Sequence, residues 1–142
     1  MDKKISVSII GCGSRGFTVY GRLMHRMPDK FEILSICDQN ADKLKNCGDE
    51  FGIAKENRFL SEEEFFGKKR SDLLVIATLD TDHIRMAEKA ILLGYKILLE
   101  KPISDNAEEL NELSRLAKEH SSFVMVCHVL RYTWANSTIM EV

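Results

Sequence analysis

The sequence predicts an α/β domain built on a doubly wound parallel sheet, and three observations predict it. Apolar runs of strand character alternate with segments of helical periodicity along the 142 residues. A glycine-rich turn, GCGSRG, separates the first apolar run from the first helical segment. Gly48, Gly52, Gly67 and Gly94 fall near the ends of elements, where the chain must reverse. Strict alternation calls for a parallel sheet covered on both faces, because each parallel crossover needs a connection of helix length.

The elements follow in order. Residues 5–10, ISVSII, alternate small polar and β-branched residues with no turn residue inside, which is a strand pattern. Residues 14–26 carry a helical stripe: Phe17, Tyr20, Gly21 and Met24 stand at i, i+3, i+4 and i+7, and Pro28 stops it. A second strand over 31–37 ends against Asp38 and leads to a helix over 41–51. A short helical piece over 61–66 opens on Ser61 with Glu64, a pairing that can satisfy orphan N–H groups. A strand over 73–77, a helix over 81–93 and a strand over 96–99 come next. The helix over 105–119 opens on Asp105 with Glu108 and has Leu110, Leu113 and Ala117 as its apolar stripe, before a last strand over 123–129.

The glycines at 11, 13 and 16 have a chemical reading. Gly11 permits a tight turn out of the strand, Gly13 leaves no side chain between backbone and a bound pyrophosphate, and Gly16 lets the helix press on the strand. The unpaired N–H groups at the start of that helix would face an anion. Asp38 lies 22 positions beyond Gly16, by 38 − 16. A carboxylate at the end of the second strand is suited to accept hydrogen bonds from ribose hydroxyls. Its structural alternative is a turn aspartate or the cap of the following helix.

Composition excludes several classes. The net charge of −2, with both signs scattered, implies no broad attraction to nucleic acid or membrane. The acidic run at 62–64 and the basic run at 68–70 are most simply solvated surface. Cys12, Cys37, Cys47 and Cys127 lie far apart with no metal-ligand spacing, and no run approaches the length of a membrane span or of a signal peptide's apolar region. The default setting is a reducing cytoplasm, with Cys37 and Cys127 read as small buried hydrophobes.

In doubly wound sheets ligands bind beyond the carboxyl ends of the strands. Those ends carry Gly11 to Gly16, then Asp38, then Thr78-Leu79-Asp80, then Glu100-Lys101-Pro102, then His128 with Arg131 and Tyr132. Singly, each has a structural explanation: Thr78 could cap a helix, His83 could be a satisfied histidine, Lys101 an ordinary surface ion. Their concentration on one edge is what points to a site.

The segments ATLDTDH, LLEKPIS and VCHVLRY, together with GxGxxG and Asp38, resemble the successive landmarks of the Gfo/Idh/MocA oxidoreductase family. The resemblance runs from about Ile5 to Tyr132. It implies a Rossmann fold and hydride transfer between NAD or NADP and a sugar, polyol or related carbohydrate. Lys101 is implied as the catalytic residue, an ammonium that orients the substrate hydroxyl and the nicotinamide. The bond before Pro102 is implied to be cis. Strand ends and resemblance together mark Gly11, Cys12, Gly13, Ser14, Arg15, Gly16, Asp38, Thr78, His83, Glu100, Lys101, Pro102 and Arg131 as cofactor-binding. NAD is the expected cofactor, since Gln39 and Asn40 rather than an arginine follow Asp38; NADP is the alternative. No metal is expected.

Leu79-Asp80 departs from the family's usual Pro-Asn and puts a carboxylate near the expected nicotinamide side. The family continues into a second α/β domain that supplies the substrate pocket and most oligomer contacts. Residues 1–132 are therefore read as the cofactor-binding domain and 133–142 as the start of the link to a second domain. Homo-oligomers would form mainly through that second domain, and this chain alone would bind cofactor without turnover. Two readings compete. An S-adenosylmethionine-dependent methyltransferase would give Lys101 no role and would want an antiparallel hairpin, and a non-catalytic nucleotide-binding module would use the same fold without chemistry.

Overall fold

The computed structural model describes residues 3–128. Six strands make one sheet: β1 (Ile5–Ile10), β2 (Phe31–Cys37), β3 (Arg58–Phe59), β4 (Leu73–Ile76), β5 (Lys96–Leu99) and β6 (Val124–Val126). Their order is β3-β2-β1-β4-β5-β6, and every neighbouring pair is parallel. The order reverses direction at β1, so the crevice between the ends of β1 and β4 is the switch point where such folds bind ligands.

The helices divide between the two faces. A π-type helix over Ser14–Gly21 runs directly into α1 (Arg22–His25), and with α2 (Ala41–Glu50) it covers one face. There Tyr20, Met24, Leu44, Cys47 and Phe51 pack on Val7, Ile9, Ile36 and Val75. On the other face α3 (Glu62–Phe65), α4 (His83–Leu92) and α5 (Ala107–Glu119) contribute Phe65, Met86, Ala87, Ala90, Ile91 and Leu113 against Ile10, Leu74, Ile76, Ile97 and Leu99. Burying each such aliphatic side chain contributes about 1.5–3 kcal/mol, so both layers are needed to offset the entropy of ordering the chain.

Several boundaries differ from the sequence reading, each for a local reason. The first helix opens with π-type winding over Ser14–Gly21, which an α-helical period does not show, and it buries Gly16, as expected, with Tyr20 and Gly21. The two-residue strand β3 is too short for any periodicity to show. The cap of α5 is Asn106, not Asp105: the Asn106 side chain accepts from the Glu108 N–H at 2.9 Å. At α3 the Ser61 hydroxyl accepts from the Glu64 N–H at 3.4 Å, the expected half of the cap, and donates to the Glu63 carboxylate.

The charged runs are also less idle than their composition implied. Glu62 pairs with Arg85 and with Lys89, the latter at 2.7 Å. Arg70 lies 3.8 Å over the Phe59 ring and donates to the carbonyls of Phe65 and Glu64. Among the described residues no helix is long and apolar enough to cross a membrane. The last predicted strand, over 123–129, is realised as β6 alone, and its final residue, like Arg131 and Tyr132, lies outside the described residues.

Candidate functional site

The carboxyl edge of the sheet is organised by the turn after β1. Gly11 has φ +94°, and a Cβ there would stand 2.4 Å from the Ala77 carbonyl oxygen. Only glycine meets both demands. Gly16 is equally constrained, since a Cβ would fall 1.8 Å from the Gly11 carbonyl oxygen. Gly13 differs in kind: its φ of −86° suits any residue, and a Cβ would meet nothing within 4 Å. The fold needs Gly11 and Gly16, whereas Gly13 keeps space open beyond the protein. The helix that begins at Ser14 has no side-chain cap and no acidic residue in its first turn, so its orphan N–H groups are available to an anion.

Asp38 ties this turn to the second strand. Its Oδ2 accepts the Cys12 N–H at 2.7 Å and its Oδ1 accepts the Asn40 N–H at 2.8 Å. The second of these is the local turn that its structural alternative implied, but the cap of α2 is Asn40, which accepts from the Lys43 N–H at 3.0 Å. Each carboxylate oxygen keeps a lone pair after one such bond. A crevice of about 570 Å³ opens beside it, with Gly11, Gly13, Asp38, Asn40, Lys43, Ala77, Thr78, Leu79 and Met86 among its walls. Glu62, Asp82 and Arg85 complete the far wall.

The Glu100-Lys101-Pro102 turn closes the other side. Lys101 is exposed, and among the described residues its ammonium has no carboxylate partner. The Lys101–Pro102 bond is cis. Glu100 is buried beneath the turn, where Oε1 accepts from the Tyr20 hydroxyl, stands 3.8 Å from Arg15 Nε, and Oε2 accepts the Lys101 N–H at 3.1 Å. His83 is fully buried at the start of α4; Nδ1 stands 2.6 Å from the Pro102 carbonyl oxygen and Nε2 3.3 Å from that of Thr78. Thr78 lines the crevice and its hydroxyl is directed at Met86 Sδ, 3.5 Å away. Thus Gly11, Gly13, Asp38 and Thr78 share one crevice, Ser14 and Arg15 are exposed at its helix, and Glu100 and His83 sit behind the edge. Arg131 lies outside the described residues.

None of the four thiols is a nucleophile candidate. All are buried. A hydrogen bond to Cys47, with burial, pushes the Cys12 thiol up, and burial beside Asp38 pushes Cys37 up to about 12. Burial raises Cys127 as well. Cys12 serves the site through its backbone N–H.

The profile of the oxidoreductase family GFO_IDH_MocA, described as an NAD-binding Rossmann fold, matches residues 5–128. This chain belongs to that family. Oxidoreductase P35 of Formosa agariphila is 28% identical over 131 residues, covering 92% of this chain and 40% of that protein. The scyllo-inositol 2-dehydrogenase (NADP(+)) IolW of Bacillus subtilis is 26% identical over 128 residues, covering 90% of this chain and 34% of its own. Among solved structures, the WlbA dehydrogenase from Bordetella pertussis in complex with NADH and UDP-GlcNAcA superposes with a TM-score of 0.88 at 22% identity, over 98% of this chain and 41% of that one. The chain spans well under half the length of these relatives. Membership in the Gfo/Idh/MocA family, with a described sheet that is parallel throughout, sets aside the methyltransferase reading.

Sequence reasoning missed Tyr20, Lys43, Glu62 and Arg85 as parts of the edge. Tyr20 read as core stripe, Glu62 as solvated surface, Lys43 only as a cation within reach of a 2′-phosphate, and Arg85 carried no reading; nothing in their spacing says that α2, α3 and α4 bring Lys43, Glu62 and Arg85 to the same crevice.

Proposed function

We propose that this chain binds NAD(H) along the carboxyl edge of its sheet and that, joined to a second domain, it forms a dehydrogenase for a sugar, polyol or related carbohydrate. The observation that carries the reading is Gly13. The backbone there could hold any residue and a side chain would touch no protein atom, so the glycine leaves open space against the main chain in which a pyrophosphate fits. The residues fit a dinucleotide: uncapped N–H groups of the helix at Ser14 for the pyrophosphate, the free lone pairs of Asp38 for the adenosine ribose, and Thr78 and Met86 among the crevice wall that a dinucleotide would line. The family description and the NADH complex of the Bordetella WlbA dehydrogenase support the same assignment.

When bound, the nicotinamide supplies hydride acceptance and donation. Lys101, exposed at the neighbouring strand end and without a carboxylate partner among the described residues, presents an ammonium that orients a substrate hydroxyl and stabilises negative charge developing on its oxygen. His83 and Glu100 act from behind by holding the turn that bears it. Asp38 favours NAD(H), because a carboxylate repels a 2′-phosphate. Lys45 is engaged with Asp49 at 2.6 Å, which leaves Lys43 as the nearby cation on the crevice wall.

Titration of the purified chain with NADH and NADPH by nucleotide fluorescence tests the reading. NADH binds more tightly than NADPH, and Gly13→Val abolishes binding while circular dichroism and melting temperature match the parent. Parent-like NADH affinity in Gly13→Val would reduce the loop to a turn. The chain alone does not turn over polyols, since loss of oriented proximity costs about 7–11 kcal/mol of barrier; robust oxidation of inositol or glucose by the isolated chain refutes the need for a second domain.

A further inference from the structure

The turn that carries Lys101 is gripped from the glycine-loop helix by a buried side chain with no surface in the crevice. We infer that Tyr20 is a positioning residue: its hydroxyl fixes Glu100, whose other oxygen holds the Lys101 N–H, so that the helix that starts at the glycine turn sets where the Lys101 ammonium stands. The inference rests on the reading of Lys101 proposed above.

Three features carry it. Tyr20 lies two turns into the helix that starts at Ser14, is 9% exposed, and donates to Glu100 Oε1 across 80 positions of sequence. Glu100 is 6% exposed and uses its second oxygen on the Lys101 N–H, with the Arg15 guanidinium 3.8 Å from the first. A buried carboxylate is costly unless paired and hydrogen-bonded, and among the described residues its donors come from one helix and one turn. The carboxylate is therefore a two-sided clamp between the anion-binding helix and the lysine. Burial, with contacts to Cys127 and Glu100, raises the Tyr20 phenol well above its ordinary value, so it remains a donor.

The opposite grip on the same turn, from His83 to the Pro102 carbonyl oxygen at 2.6 Å, leaves the turn with little freedom while both hold. Loss of the Tyr20 hydroxyl frees one side. The ring of phenylalanine fills the same volume, so the core around Val7 and Met24 is preserved.

The test uses this chain with its lysines reductively ¹³C-dimethylated and Lys101 assigned through Lys101→Arg. Saturating NADH shifts the Lys101 resonance in the parent. In Tyr20→Phe at saturating NADH that shift falls to about half or less, whereas NADH affinity changes little because Tyr20 offers no surface to the crevice. Glu100→Met produces the same loss, since its thioether leaves no oxygen to accept the Lys101 N–H, and it carries the test if Tyr20→Phe does not fold. The two changes combined add nothing beyond the larger single effect. Tyr95→Phe is the structural control: its hydroxyl is equally buried and accepts the Arg70 N–H at 2.8 Å at the other end of the sheet, so it lowers stability and leaves the Lys101 shift intact. A full parental shift in folded Tyr20→Phe or Glu100→Met overturns the inference alone. A parent that binds NADH with no Lys101 shift overturns the reading of Lys101 and the inference with it.

Discussion

The two edges of the sheet enclose hollows of similar size and opposite chemistry. At the carboxyl edge the crevice of about 570 Å³ is walled by Gly13, Asp38, Thr78 and Lys43. At the amino edge a hollow of about 420 Å³ is walled by Ile5, Leu73, Leu98, Phe123 and Met125, with lysines at its rim. The buried hydroxyls near the amino edge are spent on one another. Ser8 is 2.7 Å from both Ser35 and Ser71, the Ser6 hydroxyl donates to Asp72 at 2.8 Å, and the Tyr95 hydroxyl takes the Arg70 N–H. At the carboxyl edge the helix start is uncapped, Asp38 has acceptor capacity left and Lys101 has no partner among the described residues. Cavity volume does not separate the two edges; uncapped backbone N–H groups and spare acceptor capacity at Asp38 do.

The sharpest way to break that contrast is to substitute glycines that differ only in what surrounds them. Gly16→Ala puts a methyl 1.8 Å from a backbone oxygen and should unfold the domain or lower its melting temperature severely, read by calorimetry. Gly13→Val, with open space around it, should melt like the parent and lose only NADH binding. Equal melting losses in both would erase the distinction.

Asp38→Asn comes next in size. The amide keeps the shape of the side chain but turns one donor toward the Cys12 or Asn40 N–H and forfeits the charge, so NADH affinity should fall about tenfold, with NADPH affected less. Isothermal titration with both nucleotides measures this; an unchanged NADH-to-NADPH ratio shows that Asp38 only shapes the turn.

At the amino half, Ser8→Ala removes the hydroxyl shared by Ser35 and Ser71 and should cost about 1–3 kcal/mol in urea unfolding, while NADH affinity stays at the parental value. A change in affinity would mean that the two edges are not independent.

The last effects are in pH. The Cys37 thiol is raised in the fold from 9.0 to about 12, so the folded state holds its proton longer than the unfolded chain. Its contribution is complete below pH 9.0 and is lost as pH rises toward 12; Cys37→Ala should flatten that alkaline limb of the melting curve. Asp72, held low chiefly by the Ser6 hydroxyl, and Asp49, held low by Lys45 and then Arg58, work in the other direction. Their small, salt-sensitive contributions are present above their unfolded values and fade as pH falls through the folded ones.

What the sequence by itself determined is the fold class and the positions of the strand ends. Alternation between two periods needs only local information, and GCGSRG, Asp38 and Glu100-Lys101-Pro102 are adjacent in sequence to the strands that present them. What the tertiary structure decided is which of those residues face the crevice and which work behind it. Glu100 and His83 stand at strand and helix ends exactly as Asp38 and Lys101 do, yet burial and contacts from distant segments, Tyr20 to Glu100 and His83 to Pro102, turn them inward. Ser8 was legible as one polar partner in an alternating strand, but both faces of a parallel sheet are covered, so its hydroxyl is buried and must find Ser35 and Ser71. Periodicity reports which side of an element a residue occupies; which group covers that side, and whether it brings a hydrogen-bonding partner, is a property of contacts between residues far apart in the chain.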